Sequence, residues 1–300
     1  MPETIGLVGT GIMGAPMARN LAKAGFHVIV HNRTLSRAAP LKDSGIEIAA
    51  SLADLGRRAS IAVIMVPDTP DVLQVVEGSD GLIHNMAPGT VIIDMSTISP
   101  SETRALARRL FERGIAMLDA PVSGGSWGAE QGTLSIMVGG DPDVFQRCLP
   151  LFRAMGTNIN LMGTTGTGQT TKLVNQILVA GTCLAVAEAL VFAETQGIDS
   201  LATIEAVSGG AAGSWQLSNL GPRMVNRDFA PGFMVKLQQK DLRLVQDQAE
   251  ISGSPVAIAG LAREYLSILE ADGYGSEGTQ AIIKAVQKIA GMTARNQEDS

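Results

Sequence analysis

Residues 9–14 read Gly9-Thr10-Gly11-Ile12-Met13-Gly14. They follow a short apolar run, Thr4–Val8, and open a stretch of helical apolar spacing from Ile12 to Ala24. Glycines so placed between a strand and a helix suit one chemistry. Gly9 permits the tight turn, Gly11 lets the backbone approach a pyrophosphate, and Gly14 lets the helix lie close to the strand. The unpaired amides of the helix start, around Ile12 and Met13, then face the phosphates with the helix dipole behind them. The strand-to-helix context favours a dinucleotide turn over a plain glycine turn.

The end of the next strand bears on which dinucleotide. A unit that binds NAD usually places an Asp or Glu about 20 residues on, to meet the ribose 2′-OH. Here the segment is His31-Asn32-Arg33-Thr34, and no carboxylate occurs between Ala15 and Lys42. Arg33 could clamp a 2′-phosphate, with Asn32 and Thr34 adding hydrogen bonds. This favours NADP(H), with NAD(H) still possible. The competing reading makes Arg33 a solvated loop charge and Thr34 a helix cap.

Lys172 is the remaining candidate for proton transfer. Asn175 at i+3 and Gln176 at i+4 share its helix face. A lysine there could protonate a carbonyl oxygen while hydride arrives at carbon. Spacing alone equally allows a surface lysine that begins a helix. Gly124-Gly125-Ser126-Trp127-Gly128 matches the GxSxG pattern of hydrolases, whose histidine follows the serine in sequence. The only histidines, His27, His31 and His84, all precede it. The two cysteines, Cys148 and Cys183, form no CxxC pair, so no metal cluster or disulfide framework is expected.

Lys and Arg number 23 against 29 Asp and Glu, a net charge of −6, with no basic run. That balance argues against nucleic-acid and anionic-membrane partners. A 45% hydrophobic, 17% charged chain of 300 residues builds a core. Met1-Pro2-Glu3-Thr4 lacks a basic start and an apolar run, so no secretory signal is expected. The apolar stretch Ile177–Ala193 is interrupted by Gly181, Thr182 and Glu188. It falls short of the ~20 apolar residues of a membrane span and reads as a buried helix. The expectation is a soluble cytoplasmic protein.

The first half alternates strands (Thr4–Val8, Val28–Val30, Ile61–Val66, Val91–Asp94, Ile115–Asp119, Leu134–Val138, Asn158–Leu161) with helical segments, one of them near Ser36–Ser44. This pattern predicts a mostly parallel, Rossmann-type sheet covered on both faces, with some antiparallel pairing after Asp119. Past Gly168 the pattern turns helical: Gln169–Thr195 ending at Gly197, then Ser200–Val207, Ser214–Val225, Val235–Glu250, Pro255–Ala271 and Thr279–Ile289. The polar tail Thr293–Ser300 is expected to fray. The fold class is therefore α/β followed by all-α. A dinucleotide-binding domain over 1–164 is joined by a long interdomain helix to a helical substrate and oligomerisation domain over 165–300. The apolar length of Gln169–Thr195 suggests a homodimer or homotetramer.

These motifs, in this order, resemble the β-hydroxyacid dehydrogenases over nearly the whole chain. Gly9–Gly25, with Met17, Ala18, Asn20, Leu21 and Lys23, is similar to the family's cofactor signature. Asp119-Ala120-Pro121-Val122-Ser123-Gly124-Gly125, followed by Gly132-Thr133-Leu134, resembles its substrate signature. Gly166-Thr167-Gly168 with Lys172 and Asn175 resembles the catalytic signature, and Lys240-Asp241-Leu242 a late motif. The resemblance implies that Lys172 is the catalytic acid/base and that Asn175 helps hold substrate. It implies that Ser123 and the amides of Gly124 and Gly125 grip a carboxylate, a segment that otherwise reads as a turn. Lys240 would close over cofactor and substrate, while Val66, Pro67, Ser96 and Thr97 would meet the nicotinamide half. Gln176 stands where many members carry a second Asn; the Asn-Gln pair found here also occurs in tartronate semialdehyde reductase-like members. The implied activity is NADP(H)-preferring reduction of a small carboxylated aldehyde such as tartronate or succinic semialdehyde, or glyoxylate. The alternatives are oxidation of the 3-hydroxyisobutyrate dehydrogenase type, an imine reductase (which generally has another residue at position 172), and a catalytically silent cofactor-binding module.

Overall fold

Residues alternating along five apolar strands face two different cores. Ile5, Leu7, Val28, Val30, Ile61, Val63, Val91, Ile93 and Leu118 join one buried cluster. Val8, Ile29, Ala62, Ile64, Ile92 and Met117 join the other. With a side-chain period of two, such strands need cover on both sides. The computed structural model, which describes residues 3–292, has that arrangement. The tail Thr293–Ser300 lies outside the described residues. The chain divides into two compact units, Met1–Lys172 and Leu173–Ser300.

In the first unit the strands are β1 (Thr4–Val8), β2 (His27–His31), β3 (Glu47–Ile48), β4 (Ile61–Ile64), β5 (Val91–Asp94), β6 (Ala116–Asp119), β7 (Val122–Ser123), β8 (Leu134–Gly139) and β9 (Gly156–Gly163). The sheet order is β3-β2-β1-β4-β5-β6-β8-β7, with β9 also on β8. Pairing is parallel from β3 through β6, in register Ile5↔Val28, Ile5↔Ile61 and Ile61↔Val91. β8 runs antiparallel to β6 and β7, the reversal expected after Asp119. The helices are α1 (Gly14–Lys23), α2 (Leu52–Arg58), α3 (Thr69–Glu77), α4 (Leu82–Asn85), α5 (Pro100–Phe111), α6 (Gly125–Gln131) and α7 (Pro142–Met155). α1, α6 and α7 cover one face through Met17, Leu21, Ala129, Phe145 and Phe152. α2 to α5 cover the other through Leu55, Val72, Val76, Leu82, Leu106 and Leu110.

α8 (Thr167–Thr195) leaves the first unit and continues in the second. The split falls inside this helix because its first turn is bonded into the sheet unit by Asp119, described below. It ends as expected before Gly197, whose φ is +72°. Among the described residues, α8 is long and apolar enough by composition to cross a membrane, with a mean hydropathy of 1.9 over 18 residues, despite its internal Gly, Thr and Glu. Half of that window is buried within the protein itself. Around it in the second unit lie α9 (Ser200–Ser208), α10 (Gly221–Val225), α11 (Val235–Ser252), α12 (Ala257–Ala271) and α13 (Ile282–Ile289). Leu184, Leu190, Leu242, Leu266 and Ile282 form their common core.

Two predicted helices come out differently. Ser36–Ser44 forms two short 3₁₀ turns, Leu35–Arg37 and Ala39–Ser44. An α-helix there would need an N–H from Pro40 to Ser36, which proline lacks. Ser214–Val225 is a wide π-helical turn, Gln216–Leu220, followed by α10, and Pro222 interrupts the ladder in the same way. Both cysteines are buried thiols, and burial pushes each up to about 12. They are poor nucleophiles at neutral pH.

Candidate active site

Strand order reverses between β1 and β4, and open parallel sheets bind ligands at such a point, beyond the strands' carboxyl ends. The glycine loop leaves β1 there. A Cβ on Gly14 would lie 1.8 Å from the Gly9 carbonyl oxygen, and one on Gly9 would lie 2.1 Å from that of Met65. Packing within the protein therefore demands both glycines. Gly11 differs: it is exposed and a Cβ there would meet nothing within 4 Å. The open space over Gly11 is what a closely approaching phosphate requires. Thr10 adds a second mark of a ligand. It is buried, and its hydroxyl oxygen has no hydrogen-bond partner in the protein. The loop thus fits a bound dinucleotide.

At the end of β2, Asn32 accepts from the Thr10 amide at 3.0 Å and donates to the Thr34 carbonyl at 2.9 Å. The Asn32 side chain thus fastens the glycine loop to the β2 turn. Thr34 makes no side-chain cap bond. The Arg33 side chain is 90% exposed, with Asp71 of α3 at 3.7 Å.

The loops after β4 and β5 are tied to each other. The Val66 amide donates to Ser96 Oγ at 3.0 Å, and the Ser96 amide to Asp94 Oδ1 at 3.0 Å. Pro67 is exposed and Thr97 half-buried beside them. Asp119, at the end of β6, holds the start of α8. It accepts from the Gly166 amide at 2.7 Å on Oδ1 and from the Gln169 amide at 2.8 Å on Oδ2. Burial pushes its carboxyl up, opposed by the amides of Gly166, Gln169 and Gly168. The Gln169 side chain donates to the Ser96 carbonyl at 2.8 Å and accepts from the Ile98 amide at 3.1 Å. Lys172 follows on the same helix face and is only 7% exposed, so it is not a surface lysine.

Ser123 ends β7, paired with Ser135. Gly124 has φ +130° and Gly125 φ +60°, turning the chain directly into α6. Ser126 of the GxSxG pattern lies inside α6, and His27 is engaged with Thr4 and Glu47. No nucleophile–histidine pair forms there.

In the second unit, Asn175 Nδ2 donates to Gln176 Oε1 at 2.8 Å, and Gln176 Nε2 donates to Asp241 Oδ2 at 2.5 Å. Lys240 pairs with the other oxygen of Asp241 at 2.6 Å. Asp241 thereby fixes which end of the Gln176 amide faces Asn175. The Asn175 carbonyl oxygen lies outside this chain of bonds. Sequence reasoning missed the anchoring parts of Asp119, Gln169 and Asp241. Two of the three sit within recognisable motifs, but a carboxylate's partners 47 or 65 residues away leave no spacing signal. Among the described residues, no group of three or more His, Cys, Asp or Glu could hold a metal ion.

Comparison with known proteins agrees with this geometry. A family profile described as the NAD binding domain of 6-phosphogluconate dehydrogenase matches residues 4–163. A second, NAD-binding of NADP-dependent 3-hydroxyisobutyrate dehydrogenase, matches residues 166–286. The chain is 42% identical to 2-hydroxy-3-oxopropionate reductase of Escherichia coli, over 95% of this chain and 98% of the relative. It is 36% identical to an NAD-dependent L-serine dehydrogenase of Pseudomonas aeruginosa, over 97% and 100%. The structure of Mycobacterium tuberculosis 3-hydroxyisobutyrate dehydrogenase with L-serine superposes with a TM-score of 0.87, at 30% identity over 96% and 100% of the two chains. A Rossmann sheet with its glycine loop at the switch point, a helical second unit and these relatives lead to one assignment: the chain belongs to the β-hydroxyacid dehydrogenases, the NAD(P)-dependent oxidoreductases of hydroxy acids.

Proposed function

We propose that this enzyme reduces a small carboxylated aldehyde to the hydroxy acid, prefers NADP(H), and uses Lys172 as its general acid. The observation that carries the reading is a buried lysine one turn into a helix whose start is bonded to the cofactor-side loops. Bound NADPH supplies the hydride. Lys172 hydrogen-bonds the aldehyde oxygen and gives it a proton, and its charge stabilises the developing alkoxide. In oxidation, neutral Lys172 takes the hydroxyl proton instead. Ser123 and the amides of Gly124 and Gly125 hold the carboxylate. Asn175, oriented through Gln176 and Asp241, offers its carbonyl oxygen to a substrate hydroxyl, and Lys240 adds a cation. Gly9, Gly11, Ile12, Met13 and Gly14 cradle the pyrophosphate, and Val66, Pro67 and Thr97 meet the nicotinamide half. Residues 1–164 act as the dinucleotide domain and 165–300 as the substrate and oligomerisation domain.

The E. coli relative's named substrate, a three-carbon hydroxy semialdehyde, supports tartronate semialdehyde as the first candidate. Gln176 after Asn175 supports the same choice. Turnover of tartronate, succinic and methylmalonate semialdehydes and glyoxylate, with NADPH and with NADH, tests the reading. A carboxylated aldehyde should be the best substrate, and no turnover of any with either cofactor would sink it. Val174, Leu178 and Phe192 on α8 are more than half exposed, which supports burial in a homodimer or homotetramer. Light scattering should give at least twice the monomer mass.

Cofactor preference rests on Arg33. A charge-assisted bond to the 2′-phosphate is worth about ten- to hundredfold in affinity. Arg33→Ala should therefore raise the KM for NADPH by about that factor and leave NADH kinetics nearly unchanged. An unchanged NADPH KM in this variant, or equal use of both cofactors by the wild type, would remove Arg33 as the discriminator.

A further inference from the structure

We infer that Gln169 is a positioning residue for proton transfer, locking the Lys172 turn of α8 to the loop after β5. The inference rests on the assignment of Lys172 as the acid. Gln169 is fully buried, and each end of its side-chain amide is used. Nε2 donates to the Ser96 carbonyl at 2.8 Å, while Oε1 accepts from the Ile98 amide at 3.1 Å. Those two groups flank Thr97, so one side chain grips the β5 loop on both sides of that residue. The Gln169 main-chain amide donates to Asp119 Oδ2 at 2.8 Å, which fixes the helix end of the same lock. Ser96 in turn accepts from the Val66 amide on its hydroxyl, which brings the β4 loop into the same network. Gln169 and Lys172 are three residues apart on one helix and share a face.

An amide is unusual in such a buried position, where a leucine or methionine would pack without needing partners. What the amide adds is direction: donor and acceptor at opposite ends allow one placement of the loop along the helix and reject its reverse. A misplacement of about 1 Å at a reacting centre can cost a hundredfold in rate. Cofactor affinity rests chiefly on the glycine loop and Arg33, so the lock acts mainly on the chemical step.

The test compares Gln169→Met, Gln169→Glu and Lys172→Ala with wild type. Gln169→Met keeps length and removes both bonds. Gln169→Glu keeps an acceptor for Ile98 but sets a carboxylate oxygen against the Ser96 carbonyl. Gln169→Met should lower kcat by about 10- to 100-fold and change the KM for NADPH by a much smaller factor. The primary isotope effect on kcat with nicotinamide-deuterated NADPH should rise, because hydride transfer becomes more nearly rate-limiting. Gln169→Glu should lower kcat at least as far as Gln169→Met, because its charge is buried against a carbonyl. Folded variants with wild-type kcat and isotope effect, beside an inactive Lys172→Ala, would overturn the positioning role alone. Failure of both glutamine variants to fold would make the role structural and overturn it too. Full activity of Lys172→Ala would instead overturn the reading on which the inference rests.

Discussion

Lys172→Ala should lower kcat by at least ~100-fold, the usual loss when a positioned acid is removed. NADPH affinity, read by fluorescence titration, should change little. The two expectations separate because the glycine loop and the Lys172 side chain lie on different elements. The loop's shape is set by Gly9, Gly14 and the Asn32 bonds. The lysine is carried by a helix whose start is fixed by Asp119. The substitution leaves a space where a long side chain was buried, and α8 remains anchored through Gln169, so the variant should stay folded. Added small amines should restore part of the activity by entering that space, which a general fold defect would not permit. Activity within a few-fold of wild type would remove Lys172 from the mechanism.

The sheet was legible because its signals are local. Period-two apolar runs, a glycine loop eight residues into the chain and the turn after Asp119 each declare themselves within a few residues. The long helix and its glycine stop were legible for the same reason. The two misread helices, at 36–44 and 214–225, failed on single prolines that outweighed an otherwise helical pattern. At the site, the residue types of Lys172 and Ser123–Gly125 left alternatives open until four motifs in order resembled a family. Burial of Lys172 then removed the surface reading, which spacing could not do. Asn32 shows a different limit. Its type and place suit a phosphate ligand, and its amide also ties two segments of the protein together. Only pairing of distant segments reveals this, since Thr10 and Asn32 meet across the parallel pair β1–β2.

A substrate without a carboxylate should be turned over far more slowly than its carboxylated counterpart. Succinic semialdehyde and butanal have the same chain length and differ at the end remote from the aldehyde. If Ser123 and the Gly124 and Gly125 amides hold that end, butanal leaves their donors unpaired and desolvated. A site built to hydrogen-bond a substrate group can reject an analogue lacking it by about 10⁴–10⁵ in kcat/KM. The backbone supports a rigid grip. Gly124 sits at φ +130°, a region closed to side chains, and β7 is pinned to β8 through Ser123 and Ser135. Ser123→Ala should therefore lower kcat/KM for succinic semialdehyde by about tenfold or more, as for one lost bond to a charged group, and leave butanal unchanged. Gly124→Ala should be worse, since it strains the turn itself. Comparable turnover of butanal and succinic semialdehyde by the wild-type enzyme would show that this turn is structural and that substrate is recognised elsewhere.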